Sequence, residues 1–529
     1  MVDLAVIPIF VNAGAAILPA VLAGVSSFLA LLLRPRELAR ACRRRPGVAV
    51  GVVLALPALW FGGSWAVAAA SAWMTPPPKG AQIDWALKGQ EILQQEQALA
   101  TGAAVGGGEG PAGDVVFGRD FSRRGHDGCP PPRSICPFWA HKSEGVMFLS
   151  SPALRGKRVY VGTALVDLTG KFGSVVCLDA AGGKVLWETT DAGDLPLKPI
   201  ISSPAVTADG TRIIIGQGLH DDKDCALLCL DAATGKVLWQ SPTPLHIESS
   251  PAIRGDVAVV GAGAIEGPDR KPTGHAGLVL AVRISDGKPL WTHELADPES
   301  SPAIGEDGTV YIGSGFNGSA VVALRSGSDA ELKAAGLSRQ IWRTSLPYPV
   351  TGAISLCGER LLVGGGNGDY AFSSDKPAGM VAALDRRDGR ILWQAPMGDA
   401  VLGPLACSEK IALCPVRTGE LVALSPADGK LIWSQRISGK AAVLSGCVLA
   451  GDKALALSSD GYLALLDARD GRLLQKHYVN DPARPGQQGL SISTPTLAGN
   501  LVLVGSETGG LRAFLCQGTE PAKVSVSHE

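Results

Sequence analysis

The 529-residue sequence has little charge of either sign and almost no net charge. Charged residues make up 18% of it, and 48 lysines and arginines face 49 aspartates and glutamates, for a formal net charge of −1. A nucleic-acid binder normally carries a basic excess, so this balance argues against that class. Because 46% of the residues are hydrophobic, the composition also excludes a disordered, solvating chain.

Several motifs of catalytic sites are also missing. There is no HExxH zinc motif, no GxSxG nucleophile elbow and no CxxCH haem attachment sequence. Gly313, Gly315 and Gly318 match the spacing GxGxxG, but a strand-like run, SAVVAL, follows them instead of a helix. Without a helix N-terminus there is no dipole to hold a pyrophosphate, so we interpret these glycines as a turn.

Two long uncharged stretches open the chain, at about residues 4–33 and 48–74. Each is long enough, as a helix, to span a hydrocarbon core of about 30 Å. The segment between them holds six arginines and one acid, which places it in the cytoplasm by the positive-inside rule. We therefore predict a membrane anchor with two transmembrane helices over residues 1–75, and export of everything that follows.

The alternative for this region is a cleaved signal peptide, in which AAASA precedes the cleavage site. In either case the large remainder is exported. Residues 76–115 form a predicted stalk. DWALKGQEILQQEQALA has the apolar spacing of a short amphipathic helix, and TGAAVGGGEGPAGD is typical of a flexible linker.

The rest of the chain is an internal repeat. A phrase ending in tryptophan, such as CLDAAGGKVLW, recurs at intervals of 52, 52, 51, 51 and 40 residues. A second phrase, SSPA or a degraded form of it, precedes each copy. In the seventh unit Gln475 takes the place of the tryptophan, and an eighth copy of the second phrase, STPTL, is followed by no tryptophan phrase.

Each repeat indicates four strands: SSPA, an alternating run such as RVYVGT, a third such as VVCLD, and a fourth such as KVLW. Four-stranded units repeated about every 50 residues are typical of a β-propeller. Eight first strands but seven following fourth strands indicate that the ring takes its last strand from ICPFWAHKSEG. We predict an all-β, eight-bladed propeller over residues 116–518, closed by this N-terminal clasp strand, and a tail over 519–529.

The phrase Ala-x-Asp-x-x-x-Gly-Lys-x-x-Trp, seen around Asp179, Asp231 and Asp385, resembles the repeat of PQQ-like (quinoprotein-type) β-propellers. That family contains both quinone-dependent dehydrogenases and cofactor-free scaffold propellers of the BamB type. The resemblance implies that each tryptophan docks between neighbouring blades. The tryptophans concerned are Trp139, Trp187, Trp239, Trp291, Trp342, Trp393 and Trp433.

At one end of the predicted disc the loops are long in blades one, two, three and five and short in blades six and seven. Long loops on a rigid scaffold usually carry binding residues. Glu248 and Glu299 enter consecutive blades at the same place, so we expect their carboxylates to be neighbours around the axis. The predicted ligand or partner face consists of Lys198, His246, Glu248, Glu299, Tyr348, Asn367 and Asp369.

Two glutamates with Asn367 and Asp369 would offer the oxygen ligands that calcium takes. The resemblance implies that a PQQ enzyme would hold its quinone against calcium with such residues. However, the sequence lacks the adjacent cysteine pair on which some of these enzymes stack PQQ, and the repeat uses every propeller tryptophan. We therefore expect neither cofactor and keep PQQ with calcium as the alternative. The two glutamates would otherwise be a solvated polar rim.

Ten of the 11 cysteines follow the predicted membrane segment, where disulfides are permitted. Cys129 and Cys136 bracket the proline-stiffened loop CPPPRSIC beside the clasp strand. We predict that they pair and pin the closure of the ring.

These observations favour an exported, membrane-anchored scaffold that binds a protein or envelope component at the long-loop face. The alternative is a PQQ- and calcium-dependent oxidoreductase that oxidises an alcohol or sugar and passes electrons to membrane quinone. A third possibility is a sensor or carbohydrate-binding propeller. In each case we predict an inner-membrane location with the propeller on the periplasmic side.

Overall fold

A computed structural model describes residues 131–167, 170–219, 222–263, 277–439 and 441–518. The two predicted membrane helices, the stalk, residues 116–130 with Cys129, and the tail lie outside these residues. Within the described ranges, no helix is long and apolar enough to cross a membrane.

Eight four-stranded antiparallel sheets follow one another along the described chain, and each is one blade of a propeller. The predicted eight-bladed, all-β fold is thus confirmed. The first strand, β1 (Ser134–His141), belongs to the last blade. Blade 1 contains β2 (Ala153–Arg155), β3 (Arg158–Asp167), β4 (Gly170–Asp179) and β5 (Val185–Thr189). A short hairpin, β6 (Asp191–Ala192) and β7 (Leu195–Pro196), leads to the next blade.

The next four blades keep the same order of strands. Blade 2 contains β8 (Ala205–Val206), β9 (Arg212–Gly216), β10 (Cys225–Asp231) and β11 (Val237–Thr243). Blade 3 contains β12 (Ala252–Arg254), β13 (Val257–Ala262), β14 (Leu278–Arg283) and β15 (Pro289–Glu294). Blade 4 contains β16 (Ala303–Ile304), β17 (Val310–Ser314), β18 (Ala320–Leu324), helix α1 (Asp329–Ala334) and β19 (Gln340–Ser345). Blade 5 contains β20 (Ser355–Cys357), β21 (Arg360–Gly366), β22 (Gly379–Asp385) and β23 (Ile391–Met397).

The last three blades complete the ring. Blade 6 contains β24 (Ala406–Cys407), β25 (Ala412–Pro415), β26 (Glu420–Leu424) and β27 (Leu431–Arg436). Blade 7 contains β28 (Cys447–Ala450), β29 (Lys453–Leu457), β30 (Tyr462–Asp467) and β31 (Leu473–Tyr478). Blade 8 contains β32 (Thr496–Ala498), β33 (Leu501–Gly505), β34 (Leu511–Gln517) and the clasp strand β1.

The hydrophobic cores lie between the blades. A cluster of buried side chains fills each of the eight gaps between neighbouring blades, with residues from both sides. The middle strands therefore have a core on each face, and β18 is buried along its whole length. A strand buried on both faces needs apolar residues at every position, which explains runs such as AVVAL.

The repeat tryptophans tie each blade to the next one. The indole Nε1 of Trp187 donates to the carbonyl of Ala232 at 3.3 Å, in the turn between the third and fourth strands of the following blade. Trp239 bonds Ile284 in the same way at 2.8 Å. Equivalent bonds of 2.8–3.2 Å join Trp139, Trp291, Trp342, Trp393 and Trp433 to carbonyls of their next blades.

The glycine of the repeat is required by the tryptophan of the preceding blade. Gly235 has a φ of +76°, and a Cβ there would lie 2.5 Å from a ring carbon of Trp187. Such a distance is a collision, so only glycine lets the indole approach the turn. The same close approach occurs at Gly183, Gly287, Gly389, Gly429 and Gly471.

Blade 4 replaces this glycine turn with a helix. Ser328 caps α1 in a reciprocal capping box with Glu331. Trp291 still donates to a turn carbonyl, that of Ser326. The Arg339 guanidinium lies 4.5 Å from the centre of the Trp291 ring, so a cation–π contact replaces the glycine contact.

The clasp strand closes the ring as predicted. β1 pairs antiparallel with β34 and becomes the fourth strand of blade 8. Blade 8 therefore has no turn between its third and fourth strands on which a tryptophan of blade 7 could dock. Gln475 stands in that position instead, and its Oε1 accepts a hydrogen bond from the buried Ile135 amide at 2.6 Å. The tryptophan is missing where its docking turn is missing.

The first strands of neighbouring blades contact one another and form the innermost ring. The second serine of the SSPA phrase links them. The amides of Ser151, Ser203 and Ser250 donate to the hydroxyls of Ser203, Ser250 and Ser301 at 2.9–3.0 Å. Thr494 takes this position in blade 8, and its amide donates to the Ser151 hydroxyl at 2.9 Å. This hydroxyl ladder therefore crosses the closure of the ring.

Two glycine substitutions test the docking of the tryptophans. Gly235→Ala and Gly255→Ala both place alanine at positive φ, which costs roughly 1–2 kcal/mol. A Cβ at Gly255 meets open space, whereas one at Gly235 collides with Trp187. We expect Gly235→Ala to lower the free energy of unfolding by about 1–3 kcal/mol more than Gly255→Ala, as for other overpacked sites. Urea unfolding measures the difference, and equal losses would show that the indole does not require the glycine.

Candidate functional site

The two ends of the disc differ. The connections between second and third strands, and those between blades, lie at one end, which we call the loop face. The described chain begins and ends at the opposite end. Pro131 lies against Gly451 in the first turn of blade 7, and the Arg133 amide bonds the Gln517 carbonyl at 3.0 Å.

The long loops predicted for the loop face are described to different extents. The one in blade 1 is mainly strand, since β3 and β4 stay paired as far as Asp167 and Gly170. Parts of the loops of blades 2 and 3 lie outside the described residues. The loop of blade 5, residues 367–378, is described throughout.

The residue before each SSPA phrase occupies an equivalent place in the innermost ring. The same hydrogen bond recurs beside these residues. The Ser202 hydroxyl donates to the Ser249 carbonyl at 3.1 Å, and the Ser249 hydroxyl donates to the Ser300 carbonyl at 3.2 Å. Six of the eight residues are uncharged, and the two carboxylates are consecutive. In chain order these eight residues are Leu149, Ile201, Glu248, Glu299, Thr351, Leu402, Leu444 and Ile492.

Glu299 pairs with His246 across the boundary between blades 3 and 4. The His246 Nε2 lies 2.8 Å from Glu299 Oε1, with the imidazole fully buried and the carboxylate side chain 17% exposed. Gly263 leaves the room for this pair, since a Cβ there would lie 2.4 Å from Nε2. The structure therefore brings together two of the predicted site residues and fixes the position of one carboxylate.

Tyr370 packs on the apolar part of the innermost ring and lies within electrostatic range of both glutamates. Its hydroxyl donates to the Leu402 carbonyl at 3.1 Å, and its ring packs on the apolar cluster that contains Leu402 and Leu444. Burial raises the pKa of Tyr370 well above its usual range, and the nearby carboxylates of Glu248 and Glu299 raise it further.

Asn367 and Asp369 hold their own loop. Asn367 Oδ1 accepts from the Ala378 amide at 2.9 Å, and its Nδ2 donates to the Lys376 carbonyl at 2.8 Å. Asp369 Oδ1 accepts from the amides of Ala371 and Phe372 at 2.8 and 2.6 Å. These contacts shape the blade 5 loop and present Tyr370, which follows Asp369 directly.

A buried ion pair supports the same loop from blade 6. Arg417 and Asp399 lie 3.9 Å apart, with side chains only 10% and 6% exposed. Asp399 accepts from the Ser373 hydroxyl at 2.5 Å, and Arg417 donates to the Tyr370 carbonyl at 3.4 Å. Burial lowers the pKa of Arg417, while Asp399 and Asp369 oppose this shift. No sequence pattern indicates this pair, because its members lie in different segments of the chain.

Lys198 and Tyr348 point elsewhere. The Lys198 ammonium donates to the carbonyls of Lys223 and Asp224, the latter at 3.0 Å, and so ties the hairpin region to blade 2. Tyr348 packs against the core between blades 4 and 5. Neither contributes to the cluster formed by His246, Glu299 and Tyr370.

Cavities open on the loop face among the described residues of blades 1 to 5. One of about 560 Å³ lies at blade 1, and Phe172, Glu188, Asp191 and Asp194 are among the residues that line it. A second of about 440 Å³ lies on the other side of the β6–β7 hairpin and is lined by Leu195. A third of about 460 Å³ is lined by Phe316 and Phe372. Leu195 and Phe372 are 73% and 72% exposed.

Comparison with known proteins assigns the family. The family model described as outer membrane protein assembly factor BamB matches residues 137–363 and 377–524. The chain belongs to this family of PQQ-like propellers. BamB from Yersinia pestis is 25% identical over 390 residues, which cover 69% of this chain and 83% of that protein.

Solved structures show the same fold at low sequence identity. BamB from Moraxella catarrhalis superposes with a TM-score of 0.52 at 15% identity, covering 73% of this chain and 99% of its own. A quinohemoprotein alcohol dehydrogenase from Comamonas testosteroni gives a TM-score of 0.53 at 13% identity, covering 82% and 85%. The fold is therefore shared by the BamB family and by quinoprotein dehydrogenases.

Replacing Tyr370 with phenylalanine should make the free energy of unfolding depend less steeply on pH above pH 10. Below pH 10 the phenol is protonated in the folded and unfolded chains, and the variant loses only the bond to Leu402, about 1 kcal/mol. Above pH 10 the unfolded wild type releases this proton and the folded one retains it. Above pH 10, the ionisation of Tyr370 in the unfolded chain therefore lowers the free energy of unfolding of the wild type by about 1.4 kcal/mol per pH unit.

Urea unfolding of both proteins between pH 8 and 11 measures this effect. The free energy of unfolding of the wild type should exceed that of the variant by a constant amount up to pH 10. Above pH 10 this difference should shrink or change sign. A constant difference over the whole range would show that Tyr370 ionises equally in both states.

Proposed function

We propose that this chain is a scaffold of the bacterial cell envelope that binds a partner protein at the loop face, between blades 1 and 5. The exposure of Leu195 and Phe372 beside cavities carries this proposal. Large apolar side chains that stand out on a rigid surface are typical anchors of protein interfaces. The acidic residues around Phe172 would add electrostatic selectivity at the edge of the same surface.

The relatives support an envelope scaffold. The family model and the Yersinia pestis relative are both named for outer membrane protein assembly. A scaffold in that process works outside the cytoplasm, which agrees with the predicted export of this chain. We propose in addition that the helices predicted at 4–33 and 48–74 anchor the propeller on the periplasmic side of the inner membrane.

The hydrogen bonds of the predicted ligand residues argue against PQQ with calcium at this site. Asn367 Oδ1 and Asp369 Oδ1 already accept main-chain hydrogen bonds within their loop. Glu299 is engaged with His246, and both glutamates lie within electrostatic range of Tyr370. These residues do not fit a calcium-bound quinone, so we propose that the propeller works without this cofactor.

Photo-cross-linking tests the partner surface. A benzophenone amino acid in place of Leu195 or Phe372 should give a discrete adduct of higher mass after irradiation of intact cells. Leu431 is the matched control, since it is apolar and 64% exposed but lies on the fourth strand of blade 6, at the outer rim. An adduct at Leu431 alone, or none at the two loop-face positions, would contradict the proposal.

A titration tests the absence of the cofactor. Full-length protein titrated with PQQ in the presence of calcium should show no saturable binding by calorimetry at micromolar concentrations. Glu248→Ala and Glu299→Ala should leave the result unchanged. Saturable binding that both substitutions abolish would support the oxidoreductase instead.

A further inference from the structure

The hydroxyl ladder lapses in one part of the ring. It runs through Thr494, Ser151, Ser203, Ser250 and Ser301, and so joins blade 8 to blades 1, 2, 3 and 4. The Gly446 amide of blade 7 also donates to the Thr494 hydroxyl, at 2.8 Å. Blades 5 and 6 carry Ala353 and Pro404 at the equivalent position, and neither side chain has a hydroxyl. Gly446 of blade 7 also has no hydroxyl, so this link is missing at the three boundaries from blade 4 to blade 7. At the boundary between blades 5 and 6 the Ser355 hydroxyl donates instead to the Leu405 carbonyl at 2.8 Å.

Two cysteines face each other across that boundary. Cys357 ends the first strand of blade 5, and its sulfur lies 3.6 Å from the carbonyl of Ser408, the residue after Cys407. Cys407 ends the first strand of blade 6, and its sulfur lies 3.8 Å from the carbonyl of Leu356, the residue before Cys357. Each sulfur thus lies against the main chain beside the other cysteine.

The surroundings of the two sulfurs agree with this arrangement. Both side chains belong to the hydrophobic core between blades 5 and 6. Both also line a cavity of about 600 Å³, together with Arg360 and Glu409, at the end of the disc opposite the loop face. Cys357 is 9% exposed and Cys407 2%. An oxidant can therefore reach the pair through the cavity, Cys357 first.

We propose that Cys357 and Cys407 form a reversible disulfide that links blade 5 to blade 6. The bond adds a covalent link between blades in the part of the ring where the hydroxyl ladder is missing. It depends on the proposed envelope location only for its physiological oxidant, a disulfide-carrying protein of that compartment.

The chemistry is thiol–disulfide exchange. The Cys357 thiol loses its proton and attacks one sulfur of the donor disulfide, which breaks the donor S–S bond and releases one donor thiol. Cys407 then loses its proton and attacks the Cys357 sulfur of the mixed disulfide, releasing the second donor thiol. The two cysteines lose two electrons and two protons in total, and the donor disulfide gains them as two thiols.

Other cysteine pairs are less suited to this reaction. Cys414 and Cys447 are 0% and 2% exposed, so neither sulfur is as accessible as that of Cys357, and burial raises the pKa of Cys414 well above its usual range and that of Cys447 to about 12. Cys177 and Cys229 lie in different cores. The pair at the boundary of blades 5 and 6 combines mutual approach with access from a cavity.

Peptide mapping tests the bond directly. Full-length protein is incubated with oxidised glutathione, blocked with N-ethylmaleimide under denaturing conditions, and digested with trypsin without reductant. Cys357 falls in peptide 344–360 and Cys407 in peptide 391–410, and each peptide holds one cysteine. The expected product is the two peptides joined, two hydrogens lighter than their sum and separated by reductant.

Two variants sharpen the test. In Cys407→Ser the exchange should stop at the first step, leaving glutathione on Cys357. Cys414→Ser, which removes a neighbouring buried thiol, should leave the cross-link intact. Oxidation should raise the midpoint of thermal unfolding by about 5 °C in the wild type and in Cys414→Ser, but not in Cys407→Ser.

The proposal fails if both cysteines of the oxidised, folded protein are recovered as maleimide adducts. It also fails if peptide 391–410 is joined to 411–417, which holds Cys414. Both outcomes are independent of the photo-cross-linking result, so the disulfide and the scaffold function can fail separately.

Discussion

The docking of a tryptophan on the next blade is the interaction on which the ring depends. One phrase of the sequence supplies both partners, since its tryptophan docks forward and its glycine turn receives the tryptophan of the preceding blade. Each blade alone would expose two apolar faces, because the buried clusters lie between blades rather than within them. Stability therefore comes from contacts between neighbours, as in other repeat proteins. A ring adds the requirement that the last contact must also be made.

The closure and blade 4 show what happens when one partner changes. At the closure the docking turn is absent, and Gln475 bonds the amide of the clasp strand instead of presenting an indole. In blade 4 a capped helix replaces the turn, and Arg339 takes over the face of Trp291. In both places the replacement preserves a contact between blades rather than the residue type. This explains why the repeat tolerates such different local sequences without losing the ring.

The fold could be predicted from the sequence because each repeat carries the same strand and turn signals. Eight copies of one phrase and seven of the other were enough to predict blade number and clasp strand. The candidate site has no such redundancy. The spacing of Glu248 and Glu299 indicated their common place in the ring, but the direction of Lys198 and Tyr348 depends on local loop geometry. Tyr370 was missed because its role comes from the fold of residues 367–378, which Arg417 and Asp399 support from another blade. Long-range support of this kind leaves no periodic signal.

The innermost ring limits where a ligand can bind. Leu402 and Leu444 are 1% and 3% exposed, and Tyr370 packs on both, so this part of the axis is filled with apolar side chains. Two blades away from Leu402, the carboxylate of Glu299 is committed to a buried imidazole. A small molecule would have to displace these contacts to reach the axis, and the buried polar groups would then lose their partners at a cost of about 1–3 kcal/mol each. The cavities beside Leu195 and Phe372 impose no such cost, since they already open outward. The proposed scaffold therefore holds its partner protein at the periphery of the loop face, where binding does not disrupt the contacts of the innermost ring.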